Sequence, residues 1–147
     1  MTKLKSNVVK VGGRVTKKVA TQNYYDNEMM VYKKRLSYTP KLISHNDKKN
    51  EITISYECCV PFTKIPKREK EFYYPQIKKL FYRFKKDTGY YHGDFAPKNI
   101  MVNPETKKVK LIDFSALVKD FDRVVKIGRV RRMPIENLIR SVGILRR

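Results

Sequence analysis

Cysteine, acidic residues and long apolar runs are all scarce in this 147-residue chain. The only two cysteines, Cys58 and Cys59, are adjacent, which is a poor arrangement for a structural disulfide. A disulfide-stapled secreted scaffold is thereby excluded and a reducing compartment is expected. No apolar run approaches the roughly 20 residues that span a bilayer. The opening Met-Thr-Lys-Leu-Lys-Ser has no signal-peptide core. An intracellular, cytoplasmic protein is therefore expected. Fourteen acidic residues stand against 34 basic ones, a net charge of +20. The basic and acidic counts are 12 and 3 in 1–50, 13 and 8 in 51–118, and 9 and 3 in 119–147, so the excess is dispersed. Such a charge promotes association with polyanions, whether nucleic acid, a membrane surface or an acidic protein partner. A solvated lysine-rich surface explains the same composition. No zinc-finger spacing, basic-zipper heptad or RNA-recognition aromatic motif accompanies it.

A hydrophobic fraction of 41% is adequate for one globular domain with one modest core. Residues 7–11 and 14–20 read as two strands around a Gly12-Gly13 turn. In the second strand Val15, Lys17 and Val19 share a face, opposite Thr16, Lys18 and Ala20. A lysine on that apolar face either points inward toward a charge or snorkels from an edge strand. A helix is expected over Asp26–Leu36, capped by Asp26 or Asn27, with Met29, Tyr32 and Leu36 on one side. Glu28 then falls in the first turn, suiting the helix dipole, or pairs with Lys17. Thr39-Pro40 ends the helix and residues 45–50 form a polar turn. His45 is expected to be solvent-exposed there, without a partner. Residues 51–58 alternate clearly, with Ile52, Ile54, Tyr56 and Cys58 on one face. Residues 60–66 read as a linker, leading through a charged run to a helix with Pro75 in its first turn. Ile77, Leu80, Phe81 and Phe84 form that helix's apolar stripe, and Gly89 closes it.

The stretch that organises the chain is Tyr90–Ser115, a loop, a strand, a polar turn and a second strand. Asp94 and Asn99 lie five apart in the loop, and Asp113 follows the hairpin. Three oxygen-bearing side chains at one end of a hairpin suit a magnesium–phosphate site, because hard cations are held by one or two carboxylates plus substrate phosphates. Taken singly, the aspartates also suit loops and strand ends, and the asparagine a capped turn.

His92-Gly93-Asp94-Phe95-Ala96-Pro97-Lys98-Asn99, followed by Ile112-Asp113-Phe114-Ser115, resembles the catalytic loop and metal-binding segment of the protein-kinase-like superfamily. The likeness is to atypical members: aminoglycoside and choline phosphotransferases, RIO-like kinases and lipopolysaccharide kinases. Two motifs in order, joined by a hairpin and preceded by an amphipathic helix, make the resemblance specific. It implies an α+β fold, a minimal, truncated two-lobe kinase-like domain over 1–147. The small antiparallel β lobe would occupy about 1–59, the hinge 60–66, and a short helical lobe with a basic tail 67–147. It implies ATP and Mg2+ as cofactors, with Asp94 as catalytic base and Asn99 and Asp113 as metal ligands. His92 would be the structural histidine of the loop. Lys17 would touch the nucleotide phosphates, with Lys18 as the alternative, and Glu28 would pair with it. Glu57, Cys58 and Cys59 would lead into the hinge that receives adenine. The implied activity is transfer of the γ-phosphate to a hydroxyl, with protein Ser/Thr the first choice of acceptor and a small hydroxylated molecule the second. The alternative is a catalytically weak or inactive pseudokinase-type module whose basic surface binds nucleic acid or a protein partner.

The match covers about residues 8–115 and departs from the family pattern in several places. No Gly-x-Gly-x-x-Gly loop is present, so the phosphate-covering loop is expected to be missing. Ala96 stands where the usual loop lysine lies, with Lys98 two residues later. Ser115 replaces a glycine. The 32 residues after Ser115 suggest a truncated helical lobe, beginning with a helix over 116–127 and ending in an arginine-rich segment. Met133-Pro134-Ile135-Glu136 is at most a faint echo of the family's Ala-Pro-Glu element. Such compactness would suit a viral or mobile-element protein.

Overall fold

A computed structural model describes residues 6–55 and 59–119. Four strands form one antiparallel sheet: β1 (Ser6–Val11), β2 (Arg14–Val19), β3 (Leu42–Asn46) and β4 (Glu51–Ser55), in the order β1-β2-β4-β3. Gly12 and Gly13, at φ 52° and 80°, make the two-residue turn between β1 and β2. Paired positive φ values match the right-handed twist of the flanking strands, and glycine adopts them without a Cβ clash. In β2 Val15 and Val19 are buried and Lys18 is exposed, so Lys17 lies on the buried face. β4 alternates in the same way, with Ile52 and Ile54 buried. Val15 sits opposite Ile54, and Lys17 opposite Ile52.

The first helix, α1, runs Gln22–Lys33, starting four residues earlier and ending three residues earlier than the sequence pattern suggests. Thr21 is extended (φ −124°) and its hydroxyl accepts the Tyr24 amide at 3.2 Å, the ordinary threonine cap. Neither Asp26 nor Asn27 is the cap. Glu28 therefore lies mid-helix, not in the first turn, and shares the buried stripe with Tyr25, Met29 and Tyr32. This spacing of three and four is the core-facing pattern of a helix. A carboxylate in such a stripe needs a partner.

The second helix, α2, spans Lys67–Thr88, so Pro75 is interior rather than in the first turn. The Lys-Arg-Glu-Lys-Glu run before it consists of good helix formers. Its carboxylate Glu69 lies in the first turn, where it suits the dipole. Tyr73, Ile77, Leu80, Phe81 and Phe84 face inward. Gly89, at φ 85°, closes the helix and donates its amide to the Lys85 carbonyl at 2.8 Å.

Residues 60–66 are more than a linker. Val60–Pro61 (β5) pairs with a later strand, a 3-10 turn follows at Phe62–Lys64, and Phe62 and Ile65 are buried. Beyond α2 come β6 (Tyr91–His92), β7 (Ile100–Asn103), β8 (Lys108–Leu111) and β9 (Leu117–Val118). They form a three-stranded sheet, β5-β7-β8, and a two-stranded pair, β6-β9. The helix expected from Ala116 is replaced at its start by β9, because Leu117 and Val118 pair with His92 and Tyr91. The rest of that expected helix, the arginine-rich end, residues 133–136, and Tyr56, Glu57 and Cys58 lie outside the described residues.

One contiguous core joins these elements. Phe114 packs edge-on to Tyr32 of α1 and stacks on Phe84 of α2, with centroids 5.4 Å apart in each pair. The result is a mixed fold of small antiparallel sheets and, among the described residues, two helices. No helix among those residues is long and apolar enough to cross a membrane.

Candidate functional site

Lys17 and Glu28 meet across the β2–α1 interface, with Lys17 Nζ 2.7 Å from Glu28 Oε2. The Glu28 side chain is fully buried and that of Lys17 is 12% exposed. Burial lowers the Lys17 pKa, but the Glu28 and Asp113 carboxylates outweigh it and hold the ammonium above its ordinary value. Burial pushes the Glu28 pKa up against the opposing pull of Lys17, and Asp113 adds to the rise. Asp113 thus lies close enough to act on both members of the pair. Sequence alone leaves Lys17 and Lys18 open; the structure brings Lys17 to Glu28 and leaves Lys18 at the surface.

The loop that carries Asp94 and Asn99 is held from within. Asn99 Nδ2 donates to the Asp94 carbonyl at 2.8 Å, and the Ala96 amide donates to the same carbonyl at 2.9 Å. Both Asp94 and Asn99 are 5% exposed. Lys98 Nζ stands 3.7 Å from Asp94 Oδ2 with its side chain 60% exposed, so the loop does carry a cation although position 96 is alanine.

His92 joins this loop to the segment containing Asp113. Its Nδ1 accepts the Asp94 amide at 3.0 Å, which leaves Nε2–H to donate to the Ile112 carbonyl at 2.9 Å. Burial lowers its pKa, although both neighbouring aspartates oppose the shift. The ring is therefore a neutral strut with a fixed tautomer. Asp113 itself has φ 64°, a left-handed conformation that non-glycine residues adopt at some cost. Ser115 Oγ donates to Asp113 Oδ1 at 3.1 Å, a bond that a glycine at this position could not supply.

Two features of this site carry no signal in the sequence. Asn27 Nδ2 donates to the Ser115 carbonyl at 2.7 Å, tying α1 to the Asp113 segment across 88 residues. Gly93 donates its amide to the Ala116 carbonyl at 2.7 Å. A Cβ at Gly93 would lie 2.8 Å from that same oxygen, which is backbone and cannot swing aside. Gly93→Ala is expected to lower stability by about 1–3 kcal/mol, measured as a reduced urea midpoint. An unchanged midpoint would contradict the close approach. His45, by contrast, is exposed but not alone: its Nδ1 lies 2.9 Å from Asp47 Oδ1, and Tyr25 donates to the same carboxylate. Of the expected adenine-contact residues only Cys59 is described, and it is half-buried beside β5.

Among the described residues, no three carboxylate, imidazole or thiol side chains gather as a dedicated metal cage. Asn99 and Asp113 instead offer hard oxygens, a set that suits a cation arriving with its own phosphate and water ligands.

A solved structure of a choline/ethanolamine kinase family protein from Mesorhizobium loti matches the chain with a TM-score of 0.56 and 10% identity. The match covers 97% of this chain and 68% of that one. At so low an identity the likeness concerns the fold, which is kinase-like. No curated protein sequence matches the chain. The family model for Seadornavirus VP7 matches residues 1–137, and the chain therefore belongs to the Seadornavirus VP7 family of viral proteins.

Proposed function

We propose that the chain is an ATP- and magnesium-dependent phosphotransferase that delivers the γ-phosphate to a hydroxyl. The observation that carries this reading is the buried Lys17–Glu28 pair formed within the field of Asp113. A buried ion pair is weak support for stability by itself. Its formation within the field of Asp113, whose backbone is left-handed, is better explained by a ligand that needs a fixed cation and a fixed carboxylate together. In this reading about 1–59 form one lobe, 60–66 the connection and 67–147 the other lobe.

The residues divide the work by their chemistry. Lys17, held by Glu28, meets the nucleotide phosphates. Asn99 and Asp113 hold magnesium, which supplies charge neutralisation on the transferring phosphate when bound. Asp94 accepts the proton of the acceptor hydroxyl and orients it in line. Lys98, beside Asp94, offsets negative charge near the acceptor, taking over from the lysine absent at position 96. His92 and Asn27 keep the two halves of the site in register. A net charge of +20 favours acidic partners and disfavours a cationic amino alcohol. A protein serine or threonine is accordingly our first choice of acceptor.

The test is transfer of label from γ-32P-ATP to an acidic protein acceptor in the presence of magnesium. Transfer is expected and should stop when EDTA removes the metal. A folded chain that binds ATP with magnesium yet transfers no label would instead identify a non-catalytic nucleotide-binding module.

A further inference from the structure

Two neighbouring concavities on the described surface share the lining residues Ser37 and Lys110, and together they make up a basic trough. The larger, about 580 Å³, lies between α2 and the β7–β8 hairpin, and Lys79, Arg83, Lys108 and Lys110 line it. The smaller, about 380 Å³, follows the α1–β3 connection and adds Lys33, Arg35 and Lys41. No carboxylate lines either one among the described residues. Asp87, the nearby acid on α2, is engaged by the Tyr38 hydroxyl at 2.8 Å and by Arg83 Nε at 3.4 Å. None of Lys17, Glu28, Asp94, Asn99 or Asp113 takes part, so the trough is separate from the phosphate- and metal-binding part of the proposed site, although Cys59 of the expected adenine-receiving segment lines the larger concavity.

We propose that this trough binds single-stranded nucleic acid. Like charges at this density repel one another, and they are offset best by a ligand bearing regularly spaced anions. The trough also has what a bare cationic surface lacks. Its walls include apolar Leu80, Val109 and Leu36, and Arg83 lies over the Tyr38 ring with its guanidinium carbon 5.0 Å from the centroid. A cationic groove for the backbone with apolar and planar groups for the bases is the general form of a single-strand site. Ser37, Asn103 and Thr106 add neutral polar groups along it. A concave trough admits a flexible strand whose bases turn inward, whereas a duplex presents a convex rod with its bases covered. A membrane surface is flat and would meet only the rim.

The test is fluorescence anisotropy of a fluorescein-labelled 12-nucleotide oligouridylate with the full chain, from 50 to 300 mM KCl. Lys79→Glu/Lys108→Glu should weaken binding at least tenfold at 100 mM, and the log K against log salt slope should flatten by roughly 1.4 when two phosphates go unneutralised. Lys48→Glu/Lys49→Glu, with the same net charge but in the β3–β4 turn, should weaken binding less than threefold. Equal losses in the two variants would overturn the proposal in favour of diffuse attraction. So would tighter binding of a duplex of the same length, or displacement of the oligonucleotide by polyglutamate at equal charge. Crosslinking of a 4-thiouridine oligonucleotide to the unmodified chain provides a readout that needs no variant. Crosslinks within 33–42, 76–83 or 103–110 support the trough, and crosslinks confined elsewhere refute it.

Discussion

Lys17→Met should lower the stability of the chain by about 3–5 kcal/mol, the usual result of removing one partner from a buried ion pair. The expectation rests on the complete burial of Glu28 and its 2.7 Å contact with Lys17 Nζ. Methionine keeps most of the side-chain volume, so the loss reports the stranded carboxylate more than a cavity. Its pH dependence has a definite sign. Glu28 already titrates above its ordinary value of 4.5 because of burial, with Lys17 pulling the other way. Without Lys17 the folded-state value rises further. A group whose folded pKa is raised contributes stability below its unfolded value and loses it as pH rises through the folded one. The gap between variant and parent should therefore be small near pH 4.5 and widen toward neutrality. Urea unfolding at pH 5 and pH 7.5 measures it. In a double-mutant cycle, adding Glu28→Gln should recover much of the loss, since glutamine needs no counter-charge. A pH-independent gap, or no recovery, would mean the pair is not the charged unit described here.

The second large effect concerns turnover. Asp94→Asn should reduce phosphate transfer by roughly 10²–10⁴-fold, the range for loss of a positioned general base. Folding should be nearly unaffected. The main-chain groups of Asp94 make the bonds to His92, Ala96 and Asn99, and asparagine keeps all of them. The substitution also removes the negative charge that Lys98 faces at 3.7 Å, but Lys98 is too exposed for that to matter much to stability. Nucleotide binding should survive, because Lys17, Asn99 and Asp113 are untouched. Turnover within a few-fold of the parent would remove Asp94 from its assigned role.

How legible the molecule is from its sequence depends on how local each signal is. Asp94, Asn99 and Asp113 fall in two short motifs whose spacing is nearly the whole signal. Strands β2 and β4 announce themselves by alternation, but the placement of Lys17 between Val15 and Val19 fits an inward lysine and a snorkelling edge lysine equally, and only its contact with the buried Glu28 decides for the first. The start of α1 is easily misread because Asp26 and Asn27 look like caps, while the better-placed Thr21 is extended and bonds the Tyr24 amide. The correct frame puts Glu28 in the stripe Tyr25–Glu28–Met29–Tyr32 and removes its reading as a dipole-complementing first-turn residue. Pro75 misleads in the opposite direction. A proline commonly marks a first turn, but strong helix formers before it and the buried Tyr73 beside it extend α2 past it. The Asn27–Ser115 bond joins residues 88 apart, and nothing periodic or compositional near either residue signals it. The basic trough is equally hidden. Its lysines and arginines come from three separated segments, and the sequence displays only their sum.

Whether Lys17, Asn99 and Asp113 form a site for nucleotide with magnesium is decided by thermal unfolding of the full chain. At a ligand concentration 100 times Kd, binding only to the folded form adds about 2.7 kcal/mol. For a chain of this size that corresponds to a rise in Tm of roughly 5–10 °C. The rise is expected with ATP plus magnesium, with a much smaller one for ATP plus EDTA and none for Asp113→Asn with ATP plus magnesium. A folded parent chain whose Tm does not move in millimolar ATP and magnesium would have no such site.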